Sequence, residues 1–179
     1  MIALQRVNTR NAQYYKFIED LLVDAFPQHE RRDPEAQRRL TDSEPRFFNN
    51  IIFSDDKPVG FMTYWKFDDF NFLEHFAIHP KCRSKGYGQM VLNYIEEALE
   101  GPAVLEVERP GCENSRRRVE FYRRLGFTLW DKDYHQPPYR STDQPTPMNI
   151  MVHGNLDPDK DFDRVRRTIY VNAYGIEPL

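Results

Sequence analysis

Cysteine is nearly absent from this chain of 179 residues, which has only Cys82 and Cys112. No CxxC and no Cys/His cluster has zinc spacing, so no structural metal is expected. Two isolated cysteines in a chain this long are expected to remain reduced thiols, as in a cytoplasmic protein. No stretch approaches the ~20 apolar residues of a membrane helix, and the opening MIALQRVNTR has no apolar signal core. The expectation is a soluble protein with no membrane partner. Neither sign of charge dominates: 25 Lys and Arg stand against 28 Asp and Glu, a net charge of -3. Nothing in that balance calls for nucleic acid or an anionic surface. Internal repeats and low-complexity tracts are missing too, which excludes repeat arrays.

What the chain does have is material for a core. Hydrophobic residues make up 40%, with 13 Phe and 10 Tyr, against 30% charged residues. A chain of this length buries roughly 70% of its unfolded surface and needs no staples.

Residues 2–7 alternate loosely and predict a first strand. A helix follows from about Asn11 to Ala25, capped by Asn8 or Thr9, with Tyr14, Phe17, Ile18, Leu21, Leu22 and Ala25 on one face. Pro27 ends it, and a short second helix is expected near 34–42. Three strands come next, at 47–53, 59–67 and 71–78, the first pair joined by the turn Ser54-Asp55-Asp56-Lys57-Pro58. A helix then runs to about Glu100, with Val91, Leu92, Ile95 and Leu99 inward, and stops at Gly101-Pro102. A strand at 103–108, a helix at 115–125 closed by Gly126, and strands at 127–130 and 148–152 complete the series. The proline-rich YHQPPYRSTDQPTP between the last strands reads as a long loop. Asp157-Pro158 opens a final helix whose face is Phe162, Val165, Ile169 and Ala173. The order predicts an α/β fold: a mixed, mostly antiparallel sheet of six to seven strands flanked by helices, with an extra C-terminal helix. The domain expected spans 1–153, with a helical extension at 154–179 packed on it.

The most informative stretch is Arg83-Ser84-Lys85-Gly86-Tyr87-Gly88, RSKGYG, between the 71–78 strand and the next helix. A helix N-terminus presents unpaired N–H groups and about half a positive charge, a ready site for phosphate. Glycines at 86 and 88 allow close backbone approach, and Arg83 and Lys85 add charge. An ordinary strand-to-helix turn is the plain alternative. Two nucleotide motifs fail in detail. A P-loop needs Lys and Ser/Thr after its second Gly, whereas Ser84-Lys85 precede Gly86; a dinucleotide fingerprint needs a third Gly at 91, which is Val.

FLEHFAIHPKCRSKGYGQMVL resembles the acetyl-CoA-binding motif of the GNAT superfamily of N-acetyltransferases, in which [Q/R]-x-x-G-x-[G/A] joins a strand to a helix. Arg83, Gly86 and Gly88 fall on its three defining positions. About thirty residues on, NSRRRVEFYRRLGF resembles the family's second signature, and the likeness covers roughly residues 2–153. LEHFAIHP, LEVERP and YHQPPY resemble segments of an uncharacterised bacterial branch of that family. The resemblance implies acetyl-CoA as the acyl donor, with pantetheine contacts at Phe76 and Ile78. It implies pyrophosphate contacts at Arg83, Ser84, Lys85, Gly86, Gly88 and Gln89, and places Asn114 and Ser115 beside the cofactor. Many members have Asn seven residues before the signature Tyr; this chain has Ser115 there and Asn114 one earlier.

Acetyl transfer to an amine requires loss of a proton from the amine, a polarised carbonyl and a stabilised thiolate. By resemblance Tyr122 is the general acid, with a packed aromatic as its plain alternative. Glu74 lies between Phe72, Phe76 and Ile78 on one strand face and is a candidate base; a carboxylate paired with a nearby Arg is the equal alternative. Glu106 and Glu108 share a face of the 103–108 strand and suit a cationic amine, or else pair with the Arg-rich helix. Glu108, Glu30 and Tyr139 are substrate-binding candidates, and Tyr134 lies in the same loop as Tyr139. His75 and His79 read as structural. Arg116-Arg117-Arg118 with Arg123-Arg124 reads as local ion pairing or contact with the 3′-phosphate of coenzyme A rather than as a nucleic-acid patch. The function expected is acetyl transfer to a primary amine of a small molecule by direct attack in a ternary complex. An acyl-CoA-binding sensor and a protein lysine or N-terminal acetyltransferase are the alternatives. The last strands and C-terminal helix offer surfaces for a homodimer.

Overall fold

The computed structural model describes residues 1–177 and divides into two compact units, Met1–Asp68 with Leu73–Glu100 and Asp69–Phe72 with Gly101–Leu179. The last two residues of the expected 154–179 extension lie outside the described residues. Seven strands and five α-helices among the described residues make the fold α/β. Among the described residues no helix is long and apolar enough to cross a membrane.

The first unit is built on β1 (Ile2–Arg6), β2 (Phe47–Ser54), β3 (Lys57–Lys66) and, from Leu73 on, β4 (Asn71–Ile78), in that spatial order. β1 and β3 both run antiparallel to β2, with Leu4 opposite Ile52 and Ile51 opposite Phe61. The β2–β3 connection is tight because Asp55 and Asp56 both take positive φ, 47° and 65°, the backbone of a primed hairpin turn. Helix α1 (Ala12–Ala25) starts where Asn11 accepts the Tyr14 N–H, so its cap falls after both predicted positions, Asn8 and Thr9. It buries Tyr15, Ile18, Leu21 and Leu22 against Val7, Ile51, Phe61 and Ala77, with Tyr14, Phe17 and Ala25 at the margin. Helix α2 (Pro34–Ser43) begins with Pro at its first position, where the missing N–H costs nothing. Helix α3 (Tyr87–Ala98) turns Val91, Leu92 and Ile95 inward and packs against β1. Gly60 on β3 is fixed by space: a Cβ there would sit 2.4 Å from the Ala77 carbonyl oxygen.

In the second unit, β7 (Thr146–His153) lies between β5 (Ala103–Glu108) and β6 (Thr128–Gln136), antiparallel to both. Helix α4 (Glu113–Arg124) packs on β5 and β6, and α5 (Pro158–Ile169) packs on β6. β6 is longer than its sequence suggests. It runs past Trp130, shifts register across Asp131-Lys132-Asp133, and resumes with Tyr134 opposite Met148. Three charged residues in a row obscured the strand, and the irregularity that carries them leaves its second half paired. The proline-rich loop therefore shrinks to residues 137–145. Pro147 lies beyond Met148, the last β7 residue that β5 pairs, so its missing N–H removes no bond to β5. α5 is capped by Asp157, which accepts from the Asp159 and Lys160 N–H groups. Val165, Ile169 and Ala173 are buried, as their spacing predicted. α5 then widens into a single π turn, Tyr170–Tyr174, closed by Gly175 at φ 68°.

Candidate functional site

In the first unit the stretch between β4 and α3 has the geometry of an anion-binding turn. A short 3-10 turn, Pro80–Cys82, follows β4, and the chain then passes through Ser84 at φ 62° and Gly86 at φ 79°. A Cβ at Gly86 would meet nothing, so glycine is there for its left-handed backbone, not for space. Ser84 adopts the same region without being glycine, a strain that a surface turn does not need. Gly86 caps α3 with no side-chain hydrogen bond, and the first turn holds no acidic residue. Arg83, Ser84, Lys85 and Gln89 are exposed, and the Arg83 Nε holds the turn to β4 by donating to the Ile78 carbonyl at 3.1 Å. An uncapped helix start preceded by two exposed cations favours an anion by backbone N–H, dipole and charge together.

β4 carries Glu74, Phe76 and Ile78 on its less buried face. The Glu74 side chain has 0% exposure although the residue as a whole is half-buried, so solvent reaches its main chain. Main chain open along a strand is what an extended ligand arm pairs with. The Glu74 carboxylate accepts from the Arg32 guanidinium at 2.7 Å on Oε1 and from the Trp65 indole N–H at 3.1 Å on Oε2. The Arg32 side chain is itself only 10% exposed. Of the two readings of Glu74, this geometry is that of the paired carboxylate. Neither partner was legible in the sequence: Arg32 stood in a polar stretch and Trp65 in an apolar strand.

His75 points to the other face, as period two requires, and is buried. Its Nε2 lies 2.8 Å from the Glu30 carbonyl oxygen, its Nδ1 faces the Thr63 hydroxyl, and burial pushes its pKa down. It is a structural histidine that ties β4 to the segment after α1. Glu30 thus lends its backbone to this contact, while its side chain stays one-third exposed, 3.7 Å from His29. His79 accepts the Lys81 N–H within its turn and stacks on Phe17. A groove of about 740 Å³ between α1 and α2 is lined by none of the predicted site residues, and Arg38 and Arg39 on its wall are paired with Glu19 and Glu35.

In the second unit Tyr122 ends α4 with its ring between Phe121 and Phe127, at centroid distances of 5.3 and 5.6 Å. Burial pushes its phenol above the ordinary value. Ser115 is buried and its hydroxyl is engaged in the start of α4: it accepts the Cys112 N–H at 3.0 Å and donates to the Cys112 carbonyl. Its hydrogen bond, ahead of other causes, lowers the Cys112 thiol. Asn114 is exposed in the first turn beside it. Two arginines of the basic cluster pair locally, Arg117 with Glu113 and Arg123 with Glu120.

Glu106 does not need the Arg-rich helix to explain it. Its Oε1 accepts from the Tyr134 hydroxyl, and its Oε2 accepts from Gln136 Nε2 at 2.6 Å and the Tyr174 hydroxyl at 2.7 Å. Burial, then the Glu106 charge, pushes the Tyr134 phenol well above its ordinary value. Glu108 lies on the same half-buried face of β5, and the Tyr139 ring lies 5.0 Å from that of Tyr174. Among the described residues no group of three His, Cys, Asp or Glu could hold a metal ion.

Residues 13–127 match the model of the acetyltransferase (GNAT) family. A Bacteroides thetaiotaomicron structure assigned to the GNAT acetyltransferases is 50% identical, covers 98% of this chain and 99% of its own, and superposes with a TM-score of 0.96. Two more distant structures share the fold. An aminoglycoside 6′-N-acetyltransferase complexed with coenzyme A is 17% identical, with 87% and 99% of the two chains covered and a TM-score of 0.60. A GNAT-family acetyltransferase from Elizabethkingia anophelis with acetyl-CoA bound is 16% identical, with coverages of 86% and 98% and a TM-score of 0.58. No match was found among curated proteins.

Proposed function

The chain belongs to the GNAT family of acetyltransferases, and on that premise we propose that it transfers an acetyl group from acetyl-CoA to the primary amine of a small molecule. The observation that carries the proposal is the uncapped start of α3, with left-handed Ser84 and Gly86 and, just before Gly86, exposed Arg83 and Lys85. Two such structures of the fold, solved with coenzyme A or acetyl-CoA, support the same donor.

Arg83, Ser84, Lys85, Gly86, Gly88 and Gln89 would hold the pyrophosphate, and the β4 main chain at Phe76 and Ile78 the pantetheine arm. Of the two α4 candidates Asn114 is preferred, since the Ser115 hydroxyl already serves the helix start. Acetyl-CoA, when bound, supplies the activated acyl carbon. Tyr122 is proposed to donate a proton to the departing thiolate; its place in the FYRRLGF signature supports the role. Glu74 is proposed to take the amine's proton through a water, with Arg32 and Trp65 fixing its carboxylate. Glu30, Glu108 and Tyr139 are the proposed acceptor contacts.

Calorimetry with acetyl-CoA tests the donor. Wild type should bind, and a folded Gly86→Glu/Gly88→Glu variant should not; a folded wild type that ignores acetyl-CoA sinks the reading. Acetylation of a panel of primary amines tests the acceptor, and binding without turnover of any amine or peptide would make the protein a sensor. Tyr122→Phe and Glu74→Gln should each lower kcat by about 10²-fold or more at unchanged acetyl-CoA affinity. An unchanged kcat in Glu74→Gln removes Glu74 from the chemistry and leaves it as the partner of Arg32.

A further inference from the structure

We infer that His75, as its Nε2–H tautomer, is a positioning residue for acetyl transfer: it pins the segment between α1 and α2 to β4 and so sets Arg32 against the Glu74 carboxylate. The inference rests on the acetyl-transfer reading and deepens its catalytic side.

Two adjacent residues of β4 hold two nearby points of one segment. Glu74 accepts from the Arg32 guanidinium at 2.7 Å, and His75 Nε2 lies 2.8 Å from the Glu30 carbonyl oxygen. A single 3-10 turn, Gln28–Glu30, leads into extended Arg31, at φ -149° and ψ 159°. The pinned carbonyl therefore ends the turn, and one extended residue separates it from Arg32. An extended link spans about 3.3 Å per residue and has little slack, so a shift at the pin reaches Arg32. Two further contacts hold the same place. The Phe26 ring meets the His75 ring at 76°, centroids 4.7 Å apart, and the Phe26 carbonyl accepts from Arg31 Nε at 3.0 Å. Further out, the Arg32 guanidinium carbon lies 5.8 and 6.0 Å from the centres of the Phe47 and Trp65 rings.

The geometry selects the tautomer. A carbonyl oxygen only accepts, so the ring proton belongs on Nε2. The buried Thr63 hydroxyl accepts the His75 main-chain N–H at 3.1 Å and faces Nδ1 at 3.4 Å, which leaves its own hydrogen for a bare Nδ1. Burial, the largest influence on the ring, lowers its pKa against the pull of the Glu74 charge and the Glu30 carbonyl. The ring thus offers one donor in one direction, and it brings no charge to compete with Arg32 for Glu74.

The test uses the full chain, saturating acetyl-CoA, and a panel of n-alkylamines, α,ω-diamines and a lysine-containing peptide. In His75→Gln the amide N–H falls near the place of Nε2; in His75→Asn it falls near that of Nδ1, short of the Glu30 carbonyl. His75→Asn should lower kcat for the preferred amine about tenfold at unchanged acetyl-CoA affinity, and His75→Gln should restore kcat to within about threefold of wild type. Added to Glu74→Gln, His75→Asn should cost no further kcat, because the pin acts through Arg32 and that carboxylate. A merely structural histidine would lower the melting temperature in both variants and leave their kcat values equal. A long-range proton–nitrogen NMR spectrum of the isotope-labelled wild type reads the ring directly, whether or not either variant folds. It should show a protonated Nε2 and a bare Nδ1 at neutral pH. The other tautomer, an imidazolium, equal kcat in the two variants, a further loss on top of Glu74→Gln, or an unmoved kcat in Glu74→Gln itself overturns the inference while the acetyl-transfer reading stands. Acetyl-CoA binding with no amine or peptide acetylated overturns both.

Discussion

Glu74 and Glu106 are both mid-strand carboxylates with side chains turned into the protein, one in each unit, and they are held by different chemistry. Glu74 is clamped by a guanidinium and an indole N–H; the donors found on Glu106 are two phenols and a carboxamide. A cation beside a buried carboxylate offsets its desolvation in one stroke, so the pair stands or falls together. Neutral donors share that task, and each can be lost by itself. The difference is one of donor type: Glu74 accepts from a charged guanidinium, whereas each neutral donor found on Glu106 is a side chain that can be replaced singly.

The hardest blow to this contrast is Arg32→Ala. It strands Glu74 without its guanidinium and should cost about 3–5 kcal/mol in chemical denaturation. Arg32→Ala combined with Glu74→Gln should recover part of that, and no recovery would mean that Arg32 is held for another reason. Next comes Tyr134→Phe, which removes one of the donors on Glu106 and should cost about 1.5–3 kcal/mol, the value of a hydrogen bond to a charged group. A loss as large as that of Arg32→Ala would erase the distinction between the two carboxylates.

A third, pH-dependent effect belongs to the first unit. His75 has its pKa pushed down by burial, so the unfolded chain takes up a proton that the folded one refuses. The stability this represents is present above the unfolded value of about 6.5 and is lost as pH falls from there through the folded pKa. Melting temperature should therefore drop below about pH 6.5, and the drop should be shallower in a folded His75→Gln variant. The smallest effect is at the α5 cap: Asp157→Ala releases the Asp159 and Lys160 N–H groups and should cost about 1 kcal/mol.

Most elements were legible because local chemistry marks their ends. Pro34 and Pro158 open helices at their first positions, Gly101 and Gly126 close connections at positive φ, and the paired aspartates at 55 and 56 make a hairpin turn. The turn at 83–88 was legible for the same reason: its glycines, cations and helix start lie within a few residues. The second half of β6 was not, because its register shift puts three charged residues where alternation was sought. The partners of the two carboxylates were hidden more deeply. Arg32 lies 42 residues from Glu74 and Tyr174 lies 68 from Glu106, and no periodicity announces a contact made across a fold. Ser115 shows the converse. A position matched by motif turned out to have its hydroxyl committed to a helix start by its neighbour Cys112.

The exposed main chain of β4 carries a consequence for how this molecule can drift over time. Amide N–H and carbonyl groups are spelled the same way by nearly every codon, so a ligand read through them is insulated from most substitutions. Proline alone erases a donor, and bulky residues matter only at points such as Gly60, where a Cβ has no room. The β5 side speaks in side chains instead, and each replacement there rewrites the message. On the proposed reading, a lineage could therefore exchange one acceptor for another while β4 goes on holding the same donor.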